Sequence, residues 1–122
     1  MDLLALIKSD HLDSGDKVRD YLLNNKQKFE AFHEAFQLAA GLNRVQSLKQ
    51  LYKYFKAIDR PGKDEMTALH YAAKYNCIRA AKYLLKLGSY VNTQDRYGNT
   101  PKKLASDRGH CTMVRVLVEH GA

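Results

Sequence analysis

The sequence predicts an all-α fold in which stacked antiparallel helix pairs form a solenoid. Two observations lead to this prediction. The chain repeats itself with a period of 33 residues, so that residues 67–73 align with 100–106 and residues 38–51 align with 71–84. Within each copy the apolar residues recur at the spacing of a helix that buries one face. One copy cannot bury that face alone, so the copies are expected to stack, with Leu84 and Leu117 as equivalent buried positions.

Length and composition set the limits of this fold. A chain of 122 residues, of which 45% are hydrophobic, is long enough for one packed domain and too short for a large multi-domain enzyme. Its apolar content exceeds that of disordered chains. The two cysteines, Cys77 and Cys111, are far apart and lack a CxxC partner, which indicates free thiols in a reducing, intracellular compartment, cytoplasmic or nuclear.

Each copy reads as two helices in succession. The first helix begins after Thr67 or Thr100, because Thr is a favoured N-cap, and Pro101 suits the first helical position. The second helix ends at Gly88 or Gly121, since Gly accepts the left-handed conformation that closes a helix. Its apolar stripe comprises Val45, Leu48, Leu51 and Tyr52 in the first copy and Ile78, Ala81, Leu84 and Leu85 in the second.

Local motifs at fixed places in the period carry a family resemblance. Residues 95–101 read D-R-Y-G-N-T-P, residues 67–73 read T-A-L-H-Y-A-A, and the last copy closes with G-H at 109–110 and H-G-A at 120–122. These motifs resemble the ankyrin-repeat family. The resemblance is strong over residues 62–122, weaker but in register over 34–61, and absent before about residue 28. It implies three repeats, at approximately 34–61, 62–94 and 95–122, each a helix pair with a β-turn finger.

The departures from the family pattern predict local irregularities. Glu65 stands where the turn glycine is expected, which predicts an irregular second turn. Asn76 stands where Gly109 does and tolerates the left-handed conformation, whereas Phe55, in the place of Gly88, does not. Lys102 replaces an apolar residue that would face a following repeat, so we expect Ala122 to lie near the edge of the stack.

The first 33 residues differ from the rest of the chain. Phe29, Phe32 and Phe36 form one helical stripe, and residues 1–33 hold 5 basic and 6 acidic side chains. Residues 34–122 hold 15 basic and 7 acidic side chains, so the repeat body is basic. We interpret 1–33 as an N-terminal helical cap on the stack or as a docking segment for another chain.

The sequence carries no pattern of reactive residues that would indicate an enzyme. His11, His33, His70, His110 and His120 have no nucleophile partner and no zinc-binding spacing, and the 7 glycines form no phosphate-binding loop. We therefore predict no catalytic residue, no metal, no cofactor and no small-molecule substrate. No apolar run is long enough to span a membrane.

The resemblance implies a protein-binding function. In the family, specificity lies on the fingertips and the exposed ends of the first helices, which line a concave groove. We predict a non-enzymatic adaptor or scaffold that binds a protein or peptide there, and the positive bias of the groove suggests an acidic partner. Residue by residue, the implied groove comprises Lys63, Asp64, Met66, Lys74 and Tyr75 in the second repeat and Arg96, Tyr97, Asn99, Asp107 and Arg108 in the third.

The alternative is that the basic repeat body binds nucleic acid or another anionic surface. A net excess of basic side chains is also what a solvated outer face would show. Much of the charge falls on the second helices, which carry Lys49, Lys53, Arg79, Lys82, Lys86 and Arg115.

Overall fold

The computed structural model describes residues 29–54 and 58–122, with side chains from Glu34 to Lys53 and from Ile58 onward. This part of the chain forms helices and connecting turns and contains no strand, which confirms the all-α prediction. The helices are α1 (Phe29–Gly41), α2 (Val45–Tyr54), α3 (Ala68–Lys74), α4 (Ile78–Lys86), α5 (Pro101–Asp107) and α6 (Cys111–Glu119).

The helices form two layers of three. The first helices of the repeats pack side by side, α1 on α3 and α3 on α5, and the second helices do the same, α2 on α4 and α4 on α6. Within each repeat the two helices also pack on each other. The predicted solenoid of stacked helix pairs is therefore confirmed over the described residues.

The core lies between the two layers and repeats with the same period as the sequence. Leu51, Leu84 and Leu117 are equivalent positions on the three second helices, and each is at most 1% exposed, as predicted for the last two. Ala72 and Ala73 on α3 are fully buried, so their small side chains let neighbouring helices approach closely. Burial of this shared apolar face stabilises the stack.

The ends of the first helices are closed in the same way in all three repeats. Asn43, Asn76 and Gly109 have φ of 59°, 57° and 73°, the left-handed conformation that the sequence predicts for the last two. The backbone N–H of the next residue then donates to the carbonyl five residues earlier, at 2.8–2.9 Å in each repeat. These hydrogen bonds fix the direction in which the second helix leaves the first.

Some predictions concern residues that lie outside the described part of the chain. They are the helical cap over residues 1–28, the side chains of Phe29 and Phe32, and the substitution at Phe55. Helix α1 runs without interruption across residues 33 and 34, so the domain boundary predicted there does not separate two helices. Within the described residues, no helix is both long and apolar enough to cross a membrane.

Candidate functional site

The turn that precedes α5, finger 3 (residues 95–99), is rigid at its base. The N–H of Asp95 donates to the carbonyl of Asn99 at 2.9 Å, and the Asp95 carboxylate accepts the N–H groups of Tyr97 and Asn99, both at 2.9 Å. Burial alone would raise the pKa of Asp95, but these two donors and nearby His70 hold it below its usual range. The carboxylate thus stays charged and holds the turn closed.

The two residues at the tip of finger 3 point into solvent. The side chain of Arg96 is 69% exposed and Tyr97 is 71% exposed. Their backbone is fixed by the turn, while their side chains pack in no core. Residues of these types on a rigid turn lose little conformational freedom on binding, which is what an interface anchor requires.

The turn that precedes α3, finger 2 (residues 62–66), closes by the same bond but has a different interior. The N–H of Gly62 donates to the carbonyl of Met66 at 2.9 Å. Asp64 and Glu65 both adopt positive φ, 57° and 58°, which confirms the prediction of an irregular second turn. Without glycine at these positions, the turn holds two side chains in a conformation that costs free energy.

Each finger is anchored by one side chain from the preceding first helix. The imidazole of His70 lies 2.9 Å from the carbonyl of Asn99, and its other nitrogen accepts the N–H of Thr67 at 3.1 Å. Because Thr67 N–H can only donate, Nδ1 is the acceptor and Nε2 carries the proton that it donates to finger 3. The amide of Gln37, the equivalent position in the first repeat, donates to the carbonyl of Met66 in finger 2 at 2.9 Å.

The two fingers also contact each other. The N–H of Arg96 donates to the carbonyl of Asp64 at 2.8 Å, and the Arg96 guanidinium lies 3.9 Å from the Asp64 carboxylate. The backbone bond fixes the spacing of the fingers. The exposed ion pair contributes little free energy, because water screens it.

At the opposite end of the first helices, Tyr75 forms a second exposed aromatic position. Its side chain is 53% exposed, and the ammonium of Lys74 lies 5.4 Å from the centre of its ring. The ring edge lies 3.4 Å from the point where a Cβ on Gly41 would sit. That distance is an ordinary van der Waals contact, so Tyr75 packs close to the end of α1 and a methyl group at Gly41 would still fit.

Tyr71 lies on α3 between the fingers and the opposite ends of the first helices. It is half-buried, and burial together with Tyr75, Asp64 and Glu34 raises the pKa of its hydroxyl. These neighbours place Tyr71 between finger 2 and Tyr75 on the exposed side of the first helices. We call the resulting set the finger-to-helix row, which consists of Arg96, Tyr97, Asp64, Tyr71, Tyr75 and Lys74.

The predicted groove residues differ in how they are placed. Asn99 is half-buried, and both its backbone groups serve the turn and the His70 contact. Met66 is 8% exposed, so burial leaves little of its side chain to line the predicted groove, and its N–H and carbonyl both bond within finger 2. Lys63, Tyr75, Arg96, Tyr97, Asp107 and Arg108 are exposed, and Asp64 and Lys74 are partly exposed.

The sequence prediction missed several residues on this face. Tyr71 and its equivalents Leu38 and Leu104 lie on the first helices and are all half-buried, and none of them belongs to the predicted groove. Leu42, equivalent to Tyr75, is 41% exposed. Leu38, Tyr71 and Leu104 share one position of the 33-residue period, and Leu42 and Tyr75 share another. This periodicity is the signal that could have identified them.

The described residues offer no site for a metal ion. No group of three or more His, Cys, Asp or Glu side chains among them could hold one. Cys77 is buried and donates its thiol to the carbonyl of Gly41 at 3.2 Å, and burial raises its pKa. His110 lies 3.1 Å from the carbonyl of Ala73. These groups bind neighbouring repeats together.

Comparison with known proteins identifies the repeat. The family model for ankyrin repeats, in three copies, matches residues 11–122. The chain belongs to the ankyrin-repeat family. The match begins inside the segment 1–33 that the sequence analysis set apart, so the boundary of that segment stays a prediction. Ankyrin repeats are generally protein–protein interaction modules, and the family is typically non-catalytic.

The similar curated proteins are larger and have different activities. The chain is 38% identical over 59% of its length to the potassium channel AKT1 of Arabidopsis thaliana, covering 8% of that protein. It is 42% identical over 52% of its length to 26S proteasome non-ATPase regulatory subunit 10 of Dictyostelium discoideum, covering 28% of it. It is 26% identical over 95% of its length to NAD-dependent deacetylase sir2B of the same organism, covering 17%. The likeness spans a small part of each, so it does not transfer an activity.

Proposed function

We propose that this chain is a non-enzymatic, intracellular adaptor that binds a protein or peptide along the finger-to-helix row. The observation that carries the proposal is the pair of exposed aromatic side chains, Tyr97 and Tyr75, at the two ends of the first-helix face. Tyrosine and arginine dominate the binding energy of protein interfaces. The two-layer ankyrin stack supports them on fixed backbone at both ends.

The spacing between finger 2 and the far end of α3 suits an extended segment. Helix α3 has seven residues, so finger 2 and Tyr75 lie about 10 Å apart along its axis. Three residues of extended chain span that distance. The half-buried Tyr71 lies between the anchors and offers a hydroxyl on an otherwise apolar ring.

The charges along the row favour a partner with carboxylates near an apolar side chain. Lys74 lies against Tyr75, and in the third repeat Asp107 and Arg108 occupy the positions equivalent to Lys74 and Tyr75. At the finger end, Asp64 already lies 3.9 Å from Arg96, which lowers the positive potential there. A bound segment would therefore place an apolar side chain against Tyr75 and a carboxylate toward Lys74 or Arg108.

Selection from a phage-displayed library of random peptides tests the proposal. The enriched peptides are expected to combine an aliphatic or aromatic residue with an acidic residue. Their affinity is then measured by fluorescence polarisation against the wild type, the double variant Arg96→Ala with Tyr97→Ala, and the control Tyr90→Ala. Tyr90 is a suitable control because it is 66% exposed and lies outside the row, after α4.

The double variant is expected to weaken binding at least about tenfold, equivalent to about 1.4 kcal/mol. Its free energy of unfolding should change by less than about 0.5 kcal/mol, because both side chains are exposed. Tyr90→Ala should bind as the wild type does. If the double variant binds normally while a variant of Lys82, Lys86 and Arg115 does not bind, the row is not the binding site.

A further inference from the structure

A column of positive charges runs across the outer layer of the stack. Lys49 on α2, Lys82 on α4 and Arg115 on α6 occupy the same position of the 33-residue period, and all three are exposed. Neighbouring packed helices lie about 10 Å apart, so the three charges extend over about 20 Å. We call these three residues the basic ladder. Arg79 and Lys86 lie one helical turn to either side of Lys82.

Among residues 29–54 and 58–122, no carboxylate neutralises the basic ladder through an ion pair. Helices α2 and α4 contain no Asp or Glu, and α6 contains only Glu119. In the described part of the chain, no carboxylate forms an ion pair with any of the three cations. The nearest recorded partner of Lys49 is the ring of Tyr83, whose centre lies 5.8 Å from the ammonium. Their field therefore extends into solvent.

Half-buried tyrosines lie beside the basic ladder. Burial and the neighbouring Tyr52 raise the pKa of Tyr83, so its hydroxyl keeps its proton at neutral pH. A protonated hydroxyl donates hydrogen bonds to anionic oxygens, as tyrosines do to phosphates. The face thus offers cations and a neutral donor together.

Among the described side chains, this face lacks those that a protein interface requires. The exposed large hydrophobic residues in the described part of the chain are Leu42, Tyr75, Tyr90, Tyr97 and Val118, and only Val118 belongs to a second helix. Lysine is depleted in protein–protein interfaces, and membrane-surface helices need an exposed apolar face. Binding to phosphodiester backbones relies on Lys and Arg and needs no apolar anchor.

We propose that the basic ladder binds the phosphate backbone of a nucleic acid without selecting its sequence. Because the ladder lies on the second helices and the finger-to-helix row lies on the first helices, the two layers present opposite faces. A nucleic acid and a protein partner could then bind at the same time without competing. The ladder and the row are independent sites, and failure of one leaves the other intact.

Charge reversal with a matched control tests this proposal on the full chain. The ladder variant is Lys49→Glu, Lys82→Glu and Arg115→Glu. The control variant is Arg60→Glu, Lys102→Glu and Lys103→Glu, which has the same net charge and changes three exposed cations away from the second helices. Binding of a fluorescent DNA duplex of about 20 base pairs, and of one of its single strands, is measured by anisotropy over a range of salt concentrations.

The ladder variant is expected to lose at least about tenfold in affinity at low salt. Three lost phosphate contacts should also reduce the slope of log K against log salt by about 2.7 on the duplex, or about 2.1 on the single strand. The control variant should stay within about threefold of the wild type. Circular dichroism verifies that each variant folds. If the charge-reversal variant does not fold, a variant with Lys49→Gln, Lys82→Gln and Arg115→Gln takes its place.

Several results would overturn the proposal. Equal losses in the ladder and control variants would mean that net charge alone attracts the DNA. Absence of wild-type binding at about 50 mM salt would exclude a nucleic-acid site. Equal or tighter binding to polyglutamate, or to vesicles containing phosphatidylserine, at the same salt concentration would assign the ladder to an acidic protein or a membrane surface instead.

Discussion

At the junction between the first and second repeats the amide of Gln37 holds finger 2, and at the next junction the imidazole of His70 holds finger 3. The two donors lie at equivalent positions, and each bonds an equivalent carbonyl at 2.9 Å. The residues differ in size, in whether they titrate and in hydrogen-bonding capacity. In both junctions a buried side-chain N–H at the same position of the period donates a hydrogen bond to a carbonyl of the next finger.

At the opposite end of each junction, a side chain of the later repeat also bonds a carbonyl of the earlier one. The thiol of Cys77 donates to the carbonyl of Gly41 at 3.2 Å, and the imidazole of His110, its equivalent, lies 3.1 Å from the carbonyl of Ala73. The first junction has one further bond, from the N–H of Ala80 to the side chain of Asn43 at 3.0 Å. At this end the two acceptor carbonyls are one position apart in the period, so both the side chain and the carbonyl that it bonds differ between the junctions.

Replacement of each donor by alanine gives the largest expected effect. His70→Ala should lower the free energy of unfolding by about 3 kcal/mol, because it removes a buried ring, the bond to finger 3 and the bond that caps α3. Gln37→Ala should cost about 1.5 kcal/mol, because that amide bonds finger 2 without capping a helix. Urea unfolding of the full chain measures both, and equal losses would contradict the additional capping role of His70.

The second prediction concerns Gly62, which stands where finger 3 has Asp95. A Cβ at Gly62 would lie 2.5 Å from Oε1 and 2.7 Å from Nε2 of Gln37, so it must displace the amide from its carbonyl. Gly62→Ala is therefore expected to cost about 1–2 kcal/mol in the wild type, the value of a lost buried hydrogen bond. In a Gln37→Ala background the same change should cost less than about 0.5 kcal/mol.

A double-mutant cycle measures that difference by urea unfolding. Gly41→Ala is the control, because its new Cβ would meet the nearest atom, of Tyr75, at 3.4 Å. An equal cost of Gly62→Ala in both backgrounds would show that glycine is needed there for a reason other than the amide of Gln37.

The third prediction uses pH to distinguish the junctions and has the smallest effect. Burial lowers the pKa of His70 below its ordinary 6.5, so the unfolded chain takes up this proton before the folded chain does. The contribution of neutral His70 to the free energy of unfolding is complete above about pH 6.5. It is lost as the pH falls through the lowered pKa of the folded state. Asp95 titrates below its ordinary 3.8 and lies outside this range.

His70→Gln copies the donor of the first junction and does not titrate. The free energy of unfolding of the wild type is therefore expected to fall more steeply than that of His70→Gln between about pH 7.5 and 5.5. Gln37→His should have the opposite effect and make the free energy of unfolding fall more steeply over the same pH range. Parallel curves for the wild type and His70→Gln would mean that the His70 ring is not responsible.

The fold could be predicted from the sequence because its determinants are local and periodic. The core leucines, the N-cap threonines and the left-handed residues at helix ends each recur with the period, and each acts through its own backbone or one apolar face. Glu65 in place of glycine even predicted the irregular finger 2. These features require no knowledge of which repeats touch.

The site was only partly predictable because its side chains are placed by contacts between repeats. Arg96 and Tyr97 could be predicted as exposed, since a closed turn leaves its tip in solvent. Met66 could not, because its burial depends on how finger 2 folds back on the helices. The role of Gln37 gave no sequence signal, since an amide and an imidazole look unrelated until the acceptor carbonyl is known.

The junction positions also set a rule for lengthening the molecule by design. Phe36 and Leu69 share one column of the period with Lys102, and Gln37 and His70 share the next with Lys103. The first two members of each column are buried and both lysines are exposed. A designed repeat placed against α5 would therefore meet two ammonium groups in place of an apolar contact and a neutral donor. Lys102→Leu with Lys103→His would restore both contacts for such a repeat.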